Sequence, residues 1–404
     1  MTTTERLKVA VVGASIAHSP DRRENFAIRA HLPALKALDD RYEVAAICTT
    51  RMDSAREAAD RFGVRHAFDS VDRMLAELPE LDVVCVSVKP AAHYDVAIKA
   101  LRAGKHVYCE HPGGISTEQA RDLWETARQN KVRSLTGHQA HFDATVLHMA
   151  DLVRLGYVGT PLTFRASHFG ANYITPRPYF HRWLFDITAG GRPAYRTGHS
   201  FERIMSVLGQ DVTSVCADFT IKVPERPALD RPHTTLSSDQ VDNMNFLLRT
   251  GADTVGTLQV SNTAWAGIGD WLEVYGTEGM LMLADEDAVR TMCGGPVPAA
   301  DAAAPHDFRL FGMQADVDRI IAERRPPEEL GGFEPIEVTP RPLPLDLVSR
   351  PAQRVAAAWI ELAAAIREGR DCEPSLNATY KIHSIWDAAE ESVRGRRWVD
   401  VDYS

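Results

Sequence analysis

Through the first third of the chain, short β-branched apolar runs alternate with stretches of helical period. Leu7 to Val12, Tyr42 to Cys48, Val83 to Val88, His106 to Cys109 and Val132 to Thr136 each read as a buried strand bounded by turn residues. Between them, apolar spacing predicts helices from about Asn25 to Leu38, Ser54 to Phe62, Val71 to Leu78, Tyr94 to Arg102 and Thr117 to Asn130. Pro33 falls inside the first of these and should kink it or begin a new turn. Gly63 and Gly104 sit where C-caps belong. Strands and helices alternating at this spacing argue for a doubly wound parallel sheet.

The pattern changes after His141. A helix is expected over Thr145 to Leu155, then an alternating strand from Pro161 to Phe169. Residues 170–195 are rich in aromatics, Pro and Gly and read as loops over a site. A helix at Ser200 to Leu208 precedes strands at Ser214 to Lys222, Gln240 to Arg249, Asp253 to Asn262 and Asp270 to Gly276, a succession that suggests a mixed or antiparallel sheet. Residues 285–345 hold no steady period. Helices follow at Arg354 to Arg367 and Ala378 to Val393, with a short strand at Trp398 to Val401. The expected fold class is α/β, with a doubly wound domain over residues 1–140. An α+β domain carrying an open, mainly antiparallel sheet covers residues 141–404, and its terminal helices are free to pack back on the first domain.

Composition narrows the function. The 404 residues are 45% hydrophobic and 25% charged, which suits a soluble globular protein of two ordinary domains. The net charge is −10 and no basic block interleaves with aromatics, so nucleic acid is not an expected partner. No apolar run reaches transmembrane length and no secretory pattern opens the chain, so neither a membrane nor export is expected. The six cysteines lack paired spacing, which fits a reducing cytoplasm. No H-E-x-x-H or H-x-H spacing supports a metal site, and none is expected.

The turn after the first strand, Gly13-Ala14-Ser15, is placed to hold a dinucleotide pyrophosphate. Such a loop brings backbone N–H groups and a helix N-terminus to the phosphate. Only Gly13 of a G-x-G-x-x-G pattern is present; Ser15 and His18 occupy the later glycine positions. The second strand ends Cys48-Thr49-Thr50-Arg51 without the Asp or Glu that usually binds a ribose 2′-hydroxyl. Thr50 and Arg51 suit a 2′-phosphate instead. NAD or NADP is therefore the expected cofactor, with a slight preference for NADP.

Four further stretches carry a resemblance: Ala100-Leu101-Arg102-Ala103-Gly104-Lys105-His106-Val107 followed by Glu110-His111-Pro112, the turn from Pro90 to His93, Gly190-Gly191 through Gly198-His199, and the helix from Leu376 to Arg397. In these the chain resembles the Gfo/Idh/MocA oxidoreductases over nearly its whole length. The first stretch matches that family's A-L-x-A-G-K-H-V-x-x-E-K-P signature. The likeness is closer to the branch of the fungal galactose-pathway repressor and its bacterial relatives. It lies in Gly13-Ala14-Ser15, Phe26-Ala27, His31 to Leu35, Glu110-His111-Pro112, Gly137-His138-Gln139-Ala140-His141 and Gly198-His199.

The resemblance implies a Rossmann domain, a homodimer or homotetramer, and a cofactor site drawn from Gly13, Ser15, Thr50, Arg51, Val88, Pro90, His93, Glu110 and Gln139. It also exposes departures. The family's lysine, which bonds the substrate hydroxyl and the nicotinamide carboxamide, is His111 here. Its aspartate would fall near Tyr195 or Arg196 and is absent; its histidine is retained as His199. A neutral imidazole is a competent base near pH 7, so His111 and His199 are the expected proton-handling residues. Tyr179, His181 and Tyr195 are candidates for contacting substrate.

The leading expectation is an NAD(P)-dependent oxidoreductase of carbohydrate metabolism, acting on a hydroxyl or carbonyl of a cyclic substrate: a sugar, a cyclitol or a ring diol. Two alternatives remain open. One is a dinucleotide-binding sensor without turnover. The other is a redox-neutral lyase or glycosidase that oxidises and re-reduces its substrate on a retained cofactor.

Overall fold

The computed structural model describes residues 5–16, 25–171, 173–190, 194–265, 267–286, 289, 308–315, 321–324, 332–339, 343 and 349–404. Two sheets organise them. The first contains strands β1 (Leu7–Val12), β2 (Tyr42–Cys48), β3 (His66–Phe68), β4 (Val83–Val86), β5 (His106–Cys109) and β6 (Ser134–Thr136). They are all parallel, in the order β3-β2-β1-β4-β5-β6. This is a doubly wound sheet in its commonest order, and ligands bind such sheets at the carboxyl ends of the strands beside the point where the order reverses. Here that point lies between β1 and β4.

The expected helices form close to their expected bounds, at Met52–Phe62, Val71–Glu77, His93–Arg102 and Thr117–Gln129. Ser70 and Ser116 cap two of them by accepting the N–H of Arg73 and Gln119. Gly63 ends another in the left-handed conformation, φ 69°. Pro33 acts as expected. A π-helical turn over Ala27–His31 leads into an α-helix, Leu32–Ala37, with the proline in its first turn, where a missing N–H costs nothing.

The second sheet adds β7 (Pro161–Phe169), β8 (Val212–Thr220), β11 (Asn243–Thr250), β12 (Val255–Ser261), β13 (Gly269–Gly276), β14 (Gly279–Asp285), β15 (Phe308–Gln314), β16 (Glu334–Ile336) and β17 (Val399–Asp400). Its order is β16-β15-β14-β13-β7-β12-β11-β8-β17. Only β7 and β12 pair in parallel; every other neighbour is antiparallel. The alternating burial of β11 turns Met244, Phe246 and Leu248 onto helices Ala194–Leu208 and Leu376–Gly395. A separate pair, β9 (Glu225–Pro227) and β10 (Thr235–Ser237), packs with Phe185 in a small satellite core.

Helix Arg350–Glu368 leaves the second sheet and covers one face of the first, where Trp359 is fully buried among residues of β1, β2 and β5. The Tyr42 hydroxyl donates to the Trp359 carbonyl at 2.7 Å. Among the described residues, no helix is long and apolar enough to cross a membrane. Cys48, Cys85, Cys109, Cys216 and Cys372 are free thiols, and Cys293 lies outside the described residues.

Candidate active site

β5 ends at Cys109, and Glu110-His111-Pro112 follows at the carboxyl edge of the sheet. Both carboxylate oxygens of Glu110 are engaged. Oε1 meets His31 Nε2 at 2.9 Å and Oε2 accepts the Gln139 side-chain amide at 2.7 Å. His31 is itself fixed from behind, its Nδ1 accepting the Trp359 indole N–H at 3.2 Å. A hydrogen-bonded chain, Trp359–His31–Glu110–Gln139, buried at its Trp359 and His31 end, therefore ties three elements to the end of β5. Gly137 is required beside it, since a Cβ there would meet the Glu110 carboxylate at 2.8 Å.

His93 performs a similar service on the other side. Its Nδ1 contacts the Pro112 carbonyl and its Nε2 lies 3.1 Å from the Val88 carbonyl. Burial draws its pKa down, against the pull of those two carbonyls. A neutral ring donates only one proton, so it bonds one carbonyl at a time. It holds the turn after β4 against the turn after β5. Pro90 opens the 3₁₀ turn Pro90–Ala92 that precedes it.

Three imidazoles meet at this edge. His111 follows β5, His138 follows β6, and His199 stands on helix Ala194–Leu208. Ring centroids are 4.2 Å apart for His111 and His138, 5.3 Å for His111 and His199, and 5.2 Å for His138 and His199. The approach depends on Gly198, because a Cβ at that position would overlap the His111 ring. His138 is 1% exposed, and neither of its nitrogens has a hydrogen-bond partner among the described residues. Burial pushes its pKa well below the usual imidazole value, and the neighbouring His111 and His199 push it further. Among the described residues, no cluster has the geometry of a metal site.

Beyond His199 a cavity of about 150 Å³ opens toward the second sheet. Gln139 and His199 line its inner end; Arg203, His168, Asp270 and Arg354 line the rest, with Phe308 as an apolar wall. Asp270 Oδ1 lies 3.2 Å from His168 Nδ1 and 3.2 Å from Arg203 Nη1. Burial alone would raise the Asp270 carboxyl, but Arg203 and His168 outweigh it and hold the group well below the usual carboxylate range. Nearby, the half-buried His141 bonds the buried Glu202 at 2.7 Å. Burial lowers His141, but Glu202 overrides that and lifts it above the ordinary imidazole value.

At the cofactor edge, Gly13 adopts φ 105°, and a Cβ there would collide with the backbone of Ser87, just past the end of β4. The Asn25 amide donates to the carbonyls of Gly13 and Ser15, and Ser54 Oγ meets Ser15 Oγ at 3.1 Å. Thr49 Oγ1 donates to the Arg51 carbonyl at 2.7 Å, which folds the end of β2 into a turn around Thr50. The Arg51 side chain is 66% exposed, with Asp53 at 3.4 Å. A glycine admitted only by positive φ, at the strand end next to the reversal point, fits a bound dinucleotide. His18 lies outside the described residues.

The remaining candidates are placed less centrally. Tyr179 and His181 belong to the 3₁₀ segment Tyr179–Phe185, and the guanidiniums of Arg231 and Arg182 lie 3.9 Å and 4.9 Å from the Tyr179 ring centroid. That segment continues into a short helix, Ile187–Gly190, packed against the Pro90–Ala92 turn. Tyr195 sits in helix Ala194–Leu208, but its side chain lies outside the described residues, as does that of Arg196. The sequence alone assigns no role to His31, His138, His141, His168, Arg203, Asp270 or Arg354. Arg203 had a signal, standing four residues after His199 on one helical face.

Two family models match. The first, described as an oxidoreductase family with an NAD-binding Rossmann fold, covers residues 7–138; the second, the GFO/IDH/MocA C-terminal domain, covers residues 146–282. The chain belongs to the GFO/IDH/MocA oxidoreductase family, an NAD(P)-dependent class. An uncharacterized oxidoreductase of Synechocystis sp. is 24% identical over 99% of this chain and 98% of its own length. A levoglucosan dehydrogenase in complex with NADH and levoglucosan superposes with a TM-score of 0.78 at 21% identity, covering 99% of this chain and all of that one. A super-repressor mutant of Gal80p from Saccharomyces cerevisiae superposes equally well, with a TM-score of 0.79 at 14% identity over 99% of this chain and 100% of its own. Overall shape thus does not set this chain nearer the repressor branch than the dehydrogenases.

Proposed function

We propose that this protein oxidises a secondary hydroxyl on a cyclic substrate, or reduces the corresponding ketone, using an NAD(P) cofactor, with His111 and His199 handling the proton. The observation that carries this reading is the meeting of His111 and His199 at the carboxyl edge of the cofactor sheet, beside the cavity that His199 lines. A bound nicotinamide would supply the hydride acceptor for the carbinol carbon. The chain's own residues do the rest. One imidazole removes the hydroxyl proton as the carbonyl forms, and its neighbour orients the oxygen. His93 and the Glu110–Gln139 pair hold the two strand-end turns in place, and Gly198 lets the helix carrying His199 come close enough. A sugar, cyclitol or ring diol suits a cavity of this size, which is well under that of a drug-sized site.

In this reading residues 1–140 hold the cofactor through Gly13, Ser15, Thr50, Arg51, Val88 and Pro90. Residues 141–404 bind substrate and support a cytoplasmic homodimer or homotetramer, with Tyr179, His181 and Tyr195 in the covering segment. Arg51 carries the preference for NADP, and Asp53 beside it works against that preference.

The rival reading, a sensor of the repressor branch without turnover, is favoured by the replacement of the family lysine by His111. A panel of sugars, cyclitols and ring diols separates the two. The wild type should reduce cofactor with at least one, and His111→Asn or His199→Asn should lower kcat about 100-fold or more while cofactor still binds. Tight cofactor binding with no turnover by the wild type would favour the sensor. A cofactor that stays bound through purification, with substrate consumed and no net reduction, would favour the redox-neutral lyase or glycosidase.

A further inference from the structure

The wall of the cavity beyond His199 is balanced in charge. Arg203, 4% exposed, stands 3.2 Å from Asp270, and Arg354 stands 3.6 Å from the buried Asp143. A permanent cation at that depth needs such a partner, and both guanidiniums have one. A charged substrate group would upset this balance; an uncharged one would not. The fold leaves one acceptor on the wall unused. Asp270 and His168 stand opposite each other in the ladder between β13 and β7, which puts both side chains on one side of the sheet. Oδ1 of Asp270 lies 3.2 Å from His168 Nδ1 and 3.2 Å from Arg203 Nη1. Its Oδ2 accepts no hydrogen bond from any described residue, and the side chain, 23% exposed, lines the cavity. Arg203 and His168 keep the group ionised, so Oδ2 is purely an acceptor, with about two lone pairs to fill.

We infer that Asp270 is the residue by which the site selects its substrate: Oδ2 accepts a second hydroxyl of an uncharged ring polyol, one that takes no part in the redox step. This rests on the dehydrogenase reading above and deepens it by naming a specificity residue and the group it reads. A hydroxyl fits Oδ2 because it brings a donor without a charge. An ammonium would meet the two guanidiniums, and a carboxylate or phosphate would meet Asp270. A hydrogen bond to an ionised oxygen is stronger than one between neutral groups. An analogue lacking the hydroxyl leaves that oxygen shut away from water with no donor, so the site rejects it. The cavity of about 150 Å³ takes one small ring, so the carbinol at the His199 end and the recognised hydroxyl at the Asp270 end belong to the same ring. Arg203 and His168 are positioning residues: by holding Oδ1 they aim Oδ2.

The test uses glucose, galactose and myo-inositol, each with its monodeoxy analogues, and adds glucosamine and glucuronate as charged partners of glucose. Binding to the protein saturated with NAD+ is read by calorimetry, and turnover by cofactor reduction. At least one analogue should bind about tenfold to 100-fold more weakly than its parent. Asp270→Asn should weaken the parent by a similar factor and leave that analogue nearly unchanged, whereas a purely structural role would weaken both alike. Asparagine leaves Arg203 without its counter-charge, so Asp270→Asn/Arg203→Leu, which removes both charges together, serves where the single variant does not fold. Equal binding of every analogue and its parent, equal loss for parent and analogue in the variant, tighter binding of glucosamine or glucuronate than of glucose, or no binding of any neutral parent would overturn the inference. Selective binding without cofactor reduction by any compound would instead defeat the dehydrogenase reading and leave the Asp270 site standing. Turnover that tolerates the loss of every hydroxyl except the reacting one would do the reverse.

Discussion

His138 is wedged against two other imidazoles with no hydrogen-bond partner among the described residues, so a proton on it is opposed both by burial and by its neighbours. Its folded pKa lies below the unfolded value of about 6.5. The unfolded chain therefore binds more protons in the window just below that value, and stability must fall as the pH drops through it. His93, also lowered by burial, acts in the same direction; His141, raised by Glu202, acts oppositely. Thermal melts of wild type and His138→Gln between about pH 7 and 5 should show a shallower loss of stability in the variant. The difference should approach about 1.4 kcal/mol per pH unit at most; parallel curves would contradict this account of the cluster. Of these residues, His111 and His199 were legible because they fall on family motifs. His138 was not, because nothing local in a sequence separates a buried bare imidazole from a solvated one. Arg203, His168 and Asp270 come together only when β7, β13 and a helix pack.

Helix Arg350–Glu368 is the element that joins the two halves of the site. It begins at Arg350, four residues before the expected Arg354, with Ser349 as N-cap, Pro351 in the first turn and Gly369 as a left-handed C-cap. What it covers was not legible, since the fully buried Trp359 could have faced either sheet. It faces the first, and through His31 it steadies Glu110. Trp359→Phe keeps most of the packing but loses the indole donor. It should lower kcat several-fold with a stability loss of about 1–2 kcal/mol, read by denaturant melts alongside turnover. Trp359→Ala adds a cavity and should cost about 3–5 kcal/mol. An unaltered kcat in folded Trp359→Phe would show that the chain to Glu110 does not reach the site. Short and late strands were the elements the pattern did not reveal. β3 is three residues long, too brief to display a period, and β15 and β16 lie within the least patterned stretch of the chain, with β14 at its edge.

At the scale of the whole molecule, the cluster of His111, His138 and His199 lies where the doubly wound sheet meets the second sheet. The first supplies His111 and His138 from strand ends; the second region supplies His199, the cavity and both arginines. The class of fold was readable from the alternation of periods, because each period reports one face of one element. The pairing of β7 with β12 in parallel was not readable, because a crossover leaves no local mark. The central claim is that imidazole has taken over proton transfer from the family's lysine. It is tested most directly by the pH dependence of kcat/KM for the best substrate of the panel, in wild type and in His111→Asn/His199→Asn. The account predicts an acid limb within the imidazole window of about pH 5 to 8 in the wild type, and a loss of kcat/KM of about 100-fold or more in the double variant at every pH. A rate that persists in the double variant, or a wild-type profile flat across that window, would contradict it.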